Sequence, residues 1–309
     1  MQTILGSSGI IGREVAKELY RSFTKDIRLV ARNPKPVNDT DQLFKADLLN
    51  RNEVFEAVKG SEIVYLTVGI QYSAKIWAVQ WPVIMRNVVD ACIAEKAKLV
   101  FFDNVYSYGK VDGWMTEETP YNPCSKKGKI RLSVISMMME EVKKGNLEAL
   151  IARAPDFYGP DTPYSFLNVM VFDNFRKGKK AQLFLSANKK HSLIYTPDAG
   201  KAAALLGNTP SAYNQVWHLP ADRNVLTGAE FIDLAATAYG AKPGYTVLSK
   251  FMVRLAGLFV PVIKESVEML YQNEFDYLFD SSKFEKAFGV KATPYEIGIE
   301  KTAKSYKAL

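Results

Sequence analysis

The chain has 309 residues, of which 48% are hydrophobic and 24% charged, an ordinary globular composition that supports one large or two smaller domains. Its net charge of +7 comes from scattered lysines, and the sequence has no basic stripe interleaved with aromatic residues. We therefore expect no nucleic-acid partner; the excess charge is either solvated or surrounds an anionic cofactor or substrate. Two cysteines cannot form a disulfide framework, and two histidines without Cys/His spacing argue against a metal site.

The sequence also bears on location. A strand pattern starts at once, which leaves no room for a signal peptide. The most apolar later stretch, Phe251 to Ile263, is too short to span a bilayer and contains Arg254 and Pro261. Together with the scarcity of cysteine, this predicts a cytoplasmic protein, a monomer or homodimer, with no membrane partner.

Strand and helix signals alternate through the first half of the chain. The apolar runs of strand length are Gln2–Leu5, Ile27–Ala31, Leu43–Ala46, Glu62–Thr67, Leu99–Phe102 and Ala149–Ala152. The helical patterns between them are Arg13–Ser22, Arg51–Val58, Trp77–Glu95 and Arg131–Lys144. This alternation predicts an α/β fold, a doubly wound, Rossmann-type parallel sheet with helices on both faces. Because ligands bind such sheets at the carboxyl ends of the strands, the residues that follow each strand are the candidate site residues.

The pattern changes in the second half. The elements expected there are two helices and a short strand, Phe166–Arg176, Gly228–Tyr239 and Trp217–Leu219. A strand at Ser192–Tyr195 and a helix at Asp198–Leu206 are expected to return to the first sheet. We therefore predict a dinucleotide-binding domain over residues 1–155. Residues 156–309 would form a smaller, mixed α/β substrate region, interleaved with late sheet elements around 189–208.

A glycine-rich turn follows the first strand, with Gly6, Gly9 and Gly12 in the pattern G-x-x-G-x-x-G. The glycines allow a tight turn and close approach to a pyrophosphate, whose negative charge the new helix favours through its N–H groups and dipole. The strand before the turn and the helix after it are in the order that a dinucleotide site requires. The residues expected to bind the pyrophosphate are Gly6, Ser7, Ser8, Gly9, Ile10, Ile11 and Gly12.

Arg32 and Asn33 follow the second strand, where NAD-specific folds usually carry an acid that binds the ribose 2′-hydroxyl. An arginine cannot accept those hydrogen bonds, but its guanidinium pairs well with a 2′-phosphate. The position therefore favours NADP over NAD, unless Arg32 is only a surface residue.

Two further turns lie where a dinucleotide would extend. Asp47 and Leu48 follow the third strand, where a short acid can contact the adenine amine, although such an acid also caps helices. Thr67, Val68 and Gly69 follow the fourth strand as a small turn suited to the ribose and phosphate.

These motifs give the chain a strong resemblance to the extended short-chain dehydrogenase/reductases, the NAD-dependent epimerase/dehydratase family. Besides the glycine turn and Asp47-Leu48, the segments that carry the resemblance are 103–109 (DNVYSYG), 153–160 (RAPDFYGP), 195–198 (YTPD) and 280–283 (DSSK). They span nearly the whole chain. The resemblance implies that Pro155, Asp156 and Phe157 line the cofactor site. Sugar-nucleotide epimerases often carry an asparagine where this chain has Asp156, and an acid there disfavours a substrate that bears a pyrophosphate.

The active-site residues of that family are replaced in this chain. The family uses a serine or threonine and a Tyr-x-x-x-Lys pair, in which the tyrosine is the acid/base and the lysine holds the nicotinamide ribose. Alignment on the quoted motifs places Asn104 at the serine, Lys127 at the tyrosine and Arg131 at the lysine. The chain therefore resembles an atypical branch that lacks the catalytic tyrosine.

Two interpretations of this replacement stay open. In the first, the neighbouring cation Arg131 makes Lys127 a proton-transfer group, with Asn104 and Tyr106 beside it, in an enzyme acting on a small carbonyl or hydroxyl compound. Tyr106 either supplies the missing phenol or packs the wall of the cleft. In the second, Lys127 and Arg131 only hold ribose and phosphate, and the protein is a non-catalytic NADP(H)-binding sensor or regulator. The sequence does not specify the substrate.

Overall fold

A computed structural model describes residues 1–163 and 165–307 of the chain. The strands, in chain order, are β1 (Gln2–Leu5), β2 (Ile27–Ala31), β3 (Gln42–Lys45), β4 (Ile63–Leu66), β5 (Lys98–Asn104), β6 (Trp114–Met115), β7 (Ala149–Ala154), β8 (Asp156–Tyr158), β9 (Ala181–Phe184), β10 (Leu193–Tyr195), β11 (Val216–His218), β12 (Tyr245–Leu248) and β13 (Leu278–Phe279).

The α-helices, in chain order, are α1 (Ile10–Ser22), α2 (Arg51–Val58), α3 (Ala74–Glu95), α4 (Lys126–Lys143), α5 (Phe166–Asn168), α6 (Asn174–Arg176), α7 (Thr196–Gly207), α8 (Gly228–Tyr239), α9 (Lys250–Ala256), α10 (Pro261–Ser266), α11 (Ser282–Phe288) and α12 (Tyr295–Lys307). A π-helical turn, Val169–Asp173, joins α5 to α6, and 3₁₀ turns cover Pro210–Ala212 and Val267–Asn273.

The chain divides into two compact units. The first comprises Met1–Ser107, Lys126–Ala154 and Ala199–Leu219, and the second comprises the three stretches Tyr108–Ser125, Pro155–Asp198 and Pro220–Leu309.

The first unit contains a seven-stranded parallel sheet in the order β11-β7-β5-β4-β1-β2-β3. Near its middle, Gln2–Leu5 of β1 pair in register with Ile27–Val30 of β2 and Ile63–Leu66 of β4. All four residues of β1 are buried, as expected for a parallel strand covered by helices on both faces. The predicted α/β fold with a Rossmann-type parallel sheet is confirmed.

The core of the first unit explains how α3 and α4 are held on the sheet. Apolar side chains of the sheet such as Val64, Leu99 and Phe101 form one buried cluster with Trp81 of α3 and Val134 of α4. The described part of the first unit thus packs the middle of α4 against the sheet.

The second unit contains three two-stranded parallel sheets, β8–β10, β9–β12 and β6–β13, and an aromatic core. The ring of Tyr158 stacks on Tyr295 at 5.8 Å between centroids and meets Phe231 edge-on at 5.6 Å. Gly298 makes room for this ring, since a Cβ at that position would lie 3.0 Å from Cε2 of Tyr158. Aromatic packing, which gains more than its buried area alone, therefore holds α8 and α12 together in this unit.

Two strand predictions are wrong. The strand expected at Ser192–Tyr195 does not return to the first sheet: Leu193–Tyr195 pairs with Asp156–Tyr158 in the second unit. The short strand expected at Trp217–Leu219 within the substrate region instead adds to the large sheet, because Val216–His218 pairs with residues 151–153 of β7. The segment that returns to the first unit is Ala199–Leu219, later than the expected 189–208.

Helix boundaries differ mainly at the amino ends. Helix α1 begins at Ile10 rather than Arg13, α3 at Ala74 rather than Trp77, and α4 at Lys126 rather than Arg131. A helix over Arg51–Val58 and one over Gly228–Tyr239 are confirmed.

Candidate functional site

The glycine-rich turn is built from close backbone approaches. Gly6 has φ of 96°, and a Cβ there would lie 2.5 Å from the backbone nitrogen of Val68. A Cβ on Gly12 would lie 2.8 Å from the carbonyl oxygen of Gly6 and 2.9 Å from Oγ1 of Thr67. Both glycines are therefore required for the turn to pack between the start of α1 and the turn that follows β4.

The amino end of α1 is open toward a ligand. The helix begins at Ile10 with Gly9 as its cap, and the Arg13 amide donates to the Gly9 carbonyl at 3.0 Å. The N–H groups of the first turn therefore have no acceptor within the helix, and the dipole makes this end positive. A Cβ on Gly9 would touch Gly6 O at 3.3 Å and approach Thr67 O only at 4.0 Å, so the position accommodates a phosphate group closely.

The two serines of the turn have different environments. Ser7 is buried, and its amide and hydroxyl both donate to the carbonyl of Val30, at 3.1 and 3.2 Å. Ser8 is exposed and donates its hydroxyl to the carbonyl of Asn33 at 3.3 Å. This bond ties the glycine-rich turn to the residue that follows Arg32, whose side chain is exposed. The residue before Asn33 therefore places an exposed cation near the glycine-rich turn, although the two are far apart in sequence.

The turns after β3 and β4 are well defined. Oδ1 of Asp47 accepts from the amide of Leu49 at 3.0 Å, while the Asp47 amide donates to Glu53 at 2.7 Å. Asp47 thus shapes its own turn while staying exposed, and Leu48 is buried. Thr67 donates its amide and its hydroxyl to Leu5 O, at 2.9 and 3.2 Å.

Gly69, the last residue of the turn after β4, faces open space: a Cβ there would have no described atom within 4 Å. The turn therefore leaves room beside its backbone at the same edge of the sheet as the glycine-rich turn.

Lys127 lies at the start of α4 and is fully buried. Its Nζ stands over the ring of Tyr72, 4.6 Å from the centroid, a cation–π geometry. Tyr72 meets Trp77 edge-on at 5.8 Å, and Trp77 stacks on Tyr106 at 6.3 Å and 18°. Three aromatic rings thus line the neighbourhood of a buried lysine, in the first turn of a helix where the dipole opposes a positive charge.

Arg131, one turn further along α4, is bound to a carboxylate. Its Nε and Nη2 donate to Oδ1 of Asp103 at 2.9 and 2.6 Å, and the Asp103 Oδ2 accepts from Arg153 at 3.0 Å. The guanidinium of Arg131 also stacks near Trp81 and Phe101, 4.3 and 4.6 Å from the ring centroids. The charge of Arg131 is therefore directed at Asp103 of the sheet. Arg131, Asp103 and Arg153 are each 3% exposed or less.

The carboxyl end of β5 carries two polar side chains. Oδ1 of Asn104 accepts from the amide of Tyr106 at 3.0 Å, which shapes the turn after the strand. Ser107 is fully buried, and its hydroxyl has no hydrogen-bond partner among the described residues. A buried hydroxyl without a partner is costly, which makes Ser107 a candidate ligand-binding group.

The residues that directly follow β7, Pro155 to Asp198, belong to the second unit. Asp156 accepts or shares a hydrogen bond with Nε2 of His191 at 3.0 Å, and the His191 ring stacks on Tyr277 at 5.5 Å. The carbonyl of Phe157 accepts from Ser165 at 2.6 Å, and Pro155 precedes β8. Asp156 is thus a partly exposed carboxylate with one histidine partner in this unit.

The residues present fit a nicotinamide dinucleotide. The close approaches at Gly6 and Gly12, the amino end of α1 without a side-chain cap and the open space beside Gly69 are features that suit a pyrophosphate and its riboses.

A family model for the NAD dependent epimerase/dehydratase family matches residues 3–218. The chain belongs to this family. This confirms the resemblance drawn from the sequence motifs, and it supports the expected class of NAD-dependent enzyme.

Curated relatives match over part of their length. The uncharacterized protein y4nG of Sinorhizobium fredii is 25% identical over 213 residues, 66% of this chain and 52% of that protein. The uncharacterized protein y4nL of the same organism is 28% identical over 137 residues, 44% of this chain and 37% of that protein. The chain thus spans about half or less of the length of these relatives.

Solved structures share the fold across nearly the whole chain. The double mutant of DesIV, a dTDP-glucose 4,6-dehydratase from Streptomyces venezuelae with NAD and DAU bound, has a TM-score of 0.82 at 14% identity, covering 99% of this chain and 97% of that one. The UDP-glucose 4-epimerase of Thermus thermophilus in complex with NAD has a TM-score of 0.80 at 16% identity, covering 99% of both chains.

The sequence analysis also led us to expect neither a metal site nor a membrane-spanning segment. Over residues 1–163 and 165–307, the acidic, cysteine and histidine side chains do not form a group of three or more that could hold a metal ion. Over the same residues, each helix is too short or too polar to cross a bilayer.

Our sequence analysis did not identify four residues that the structure places near the candidate site. Tyr72 and Ser107 give no distinctive signal. Asp103 and Arg153 do give one, since each is a charged residue inside an otherwise apolar strand, and a charge in a buried strand requires a partner.

Proposed function

We propose that this chain is an oxidoreductase or epimerase/dehydratase-type enzyme that uses a nicotinamide dinucleotide to act on a small carbonyl or hydroxyl compound, with Lys127 as the proton-transfer group. The observation that carries the proposal is the complete burial of Lys127 beside Tyr72, at the position where the family resemblance places the acid/base tyrosine. An amine buried in the first turn of a helix is unfavourable for the fold, so a functional reason accounts best for it.

The cofactor is held by backbone groups of the first unit. The amide groups at the start of α1 bind the pyrophosphate, with Gly9 allowing its close approach. Arg32 pairs with a 2′-phosphate, which favours NADP, while Asp47 and the turn 67–69 contact the adenosine and ribose groups. The bound cofactor supplies or accepts the hydride.

The residues around Lys127 position it and move the proton. A neutral Lys127 accepts a proton from a substrate hydroxyl, and a protonated Lys127 donates one to a carbonyl oxygen. Asn104 and Tyr106 stand at the end of β5 to orient the substrate. Arg131 is better described as a positioning residue than as a ribose ligand, because its bonds to Asp103 fasten α4 to β5 one turn beyond Lys127.

The substrate is a small molecule. The partly exposed carboxylate of Asp156 disfavours a second pyrophosphate, which argues against a nucleotide-sugar substrate. The scarcity of cysteine supports a cytoplasmic location.

The decisive variant is Lys127→Met, compared with Lys129→Met, which removes an exposed lysine two residues away on the same helix. Purified protein is screened for a change in nicotinamide absorbance with a panel of small carbonyl and hydroxyl compounds. We expect Lys127→Met to abolish turnover while NADP(H) still raises the melting temperature, and Lys129→Met to keep both properties. Full activity of Lys127→Met would exclude Lys127 and direct attention to Tyr106.

The second candidate is a non-catalytic NADP(H)-binding sensor. The observation that favours it is the ion pair between Arg131 and Asp103. Arg131 stands at the position of the family lysine, and this bond directs its charge to Asp103 and not to a cofactor. This function predicts cofactor binding with no turnover across the whole panel, which is the outcome that separates the two proposals.

A further inference from the structure

The helical hairpin formed by α9, α10 and the connecting residues 257–260 exposes an unusual amount of apolar surface; we call it the apolar hairpin. Its exposed large apolar side chains are Phe251, Met252, Leu255, Leu258, Phe259, Val260 and Val262. Phe259 is 81% exposed and Phe251 and Leu258 are each 73% exposed, the highest values among the large apolar side chains of the described residues. Soluble surfaces rarely carry such a contiguous patch without a partner.

The hairpin is folded, so its exposed side chains form a defined face. Ser249 caps α9 by accepting from the Met252 amide at 3.3 Å, and Val253 is buried on the inner side. The two helices approach closely at Gly257, where a Cβ would lie 3.0 Å from Cα of Lys264. The hairpin therefore has an exposed apolar face, and the packing of its inward face, which includes Val253, holds that exposed face in place.

The exposed charges of the apolar hairpin are cationic. Residues 241–264 contain Lys242, Lys250, Arg254 and Lys264 and no aspartate or glutamate. Lys250 is paired with Glu274 at 2.9 Å, while Arg254 and Lys264 are exposed on the hairpin. The one acid within the hairpin, Glu265 of α10, is half-buried.

We propose that the apolar hairpin docks on an anionic lipid surface. Short helices that place phenylalanine and leucine on one face with flanking lysine and arginine lie in the headgroup region, where the apolar side chains enter the acyl boundary and the cations meet lipid phosphates. The hairpin matches this pattern, and its helices are too short to span the bilayer. The inference replaces our expectation that the chain has no membrane partner.

Charge complementarity favours lipid over a second copy of the chain. A two-fold dimer through this face would set the same surface against itself, so the exposed cations Arg254 and Lys264 of both copies would meet, and the one carboxylate of each hairpin, Glu265, is half-buried. An anionic bilayer supplies the opposite charge and an apolar interior at once.

The test is flotation of the full chain with vesicles of phosphatidylcholine alone or with added phosphatidylglycerol. We expect binding to the anionic vesicles only, weakened by high salt. Leu258→Ser and Phe259→Ser should each lower the partition coefficient about tenfold. Arg254→Gln should lower it about fivefold. The control Ile297→Ser, an exposed apolar residue on α12, should bind like the unmodified chain.

A second measurement guards against misfolded variants. Phe259→Trp keeps a large aromatic side chain, and its fluorescence should be quenched by brominated lipids in anionic vesicles more than that of the unmodified chain. The proposal is overturned by an absence of flotation, by equal binding to neutral vesicles, or by binding that survives Leu258→Ser combined with Phe259→Ser. Self-association that these substitutions abolish, without lipid binding, would assign the face to a second copy instead.

Discussion

Arg131 donates two hydrogen bonds to a single oxygen of Asp103, from Nε at 2.9 Å and from Nη2 at 2.6 Å, across 28 residues of sequence. The other carboxylate oxygen accepts from Arg153, so one buried negative charge serves two buried guanidiniums. Such a group is stable only while every member keeps its partner, because an uncompensated buried charge is costly. The arrangement fastens α4, which carries Lys127, to the end of β5.

Asp103→Asn should therefore lower the free energy of unfolding by about 3–5 kcal/mol, since it removes the buried carboxylate to which the guanidiniums of Arg131 and Arg153 donate. Urea denaturation monitored by circular dichroism measures this loss. The control is Asp90→Asn, which breaks a partly exposed ion pair with Arg51 and should cost at most about 1 kcal/mol. Equal costs for the two variants would show that the buried group does not fasten the helix.

Gly9→Val should abolish the thermal stabilisation by NADP(H). Gly9 has φ of −77°, which a valine tolerates, so the fold should persist while the side chain occupies the space of the pyrophosphate. Gly6→Val differs, because φ of 96° and the contact with Val68 make it destabilise the free protein as well. Melting temperatures with and without cofactor distinguish the two effects. If the cofactor raised the melting temperature of Gly9→Val as much as that of the unmodified chain, the cofactor would not bind at this turn.

Arg32→Asp should weaken NADP binding by about 2 kcal/mol or more, with a much smaller effect on NAD, if its guanidinium contacts the 2′-phosphate. Lys25→Asp, which makes the same charge change just before β2, at the end of that strand opposite Arg32, controls for long-range electrostatics. Titration calorimetry with both cofactors measures the difference. Equal losses for NADP and NAD in Arg32→Asp would remove Arg32 from phosphate recognition.

Only one of the two thiols should react with iodoacetamide in the folded protein. Cys124 is exposed, whereas burial raises the pKa of the Cys92 thiol well above its usual range. The unfolded thiol ionises above about pH 8.5, whereas the buried Cys92 thiol of the folded protein stays protonated. Ionisation therefore stabilises the unfolded state, and the free energy of unfolding should fall as the pH rises past this value. Mass spectrometry of native and urea-unfolded samples should show alkylation of Cys92 only after unfolding. Native alkylation at Cys92 would indicate local opening of α3.

The elements that the sequence predicted well are those with a strong local pattern. β1, β2 and α2 follow from apolar runs and caps that need no distant partner. The start of α4 was missed because Lys126, Lys127 and Gly128 are unfavourable at the amino end of a helix, where a positive charge opposes the dipole and glycine adds flexibility. Tertiary contacts override both preferences.

Partners distant in sequence could not be predicted from spacing. An apolar run indicates a strand, but it does not specify the neighbouring strand, which is why residues 192–195 were assigned to the wrong sheet. Likewise, a spacing of four residues predicts that Arg131 lies one helical turn from Lys127. The bond from Arg131 to Asp103 depends on the packing of α4 against β5, which the spacing does not specify.

The edge strand β11 has a consequence for how the protein is made. The first unit is assembled from three separated stretches, and its sheet ends with Val216–His218 beside β7. During synthesis, β7 is finished more than sixty residues before its outer neighbour emerges, and its unpaired edge is exposed throughout that interval. The nascent chain therefore passes through a stage in which six strands of the sheet can pair but the seventh cannot, and chaperone protection would be most useful during that stage.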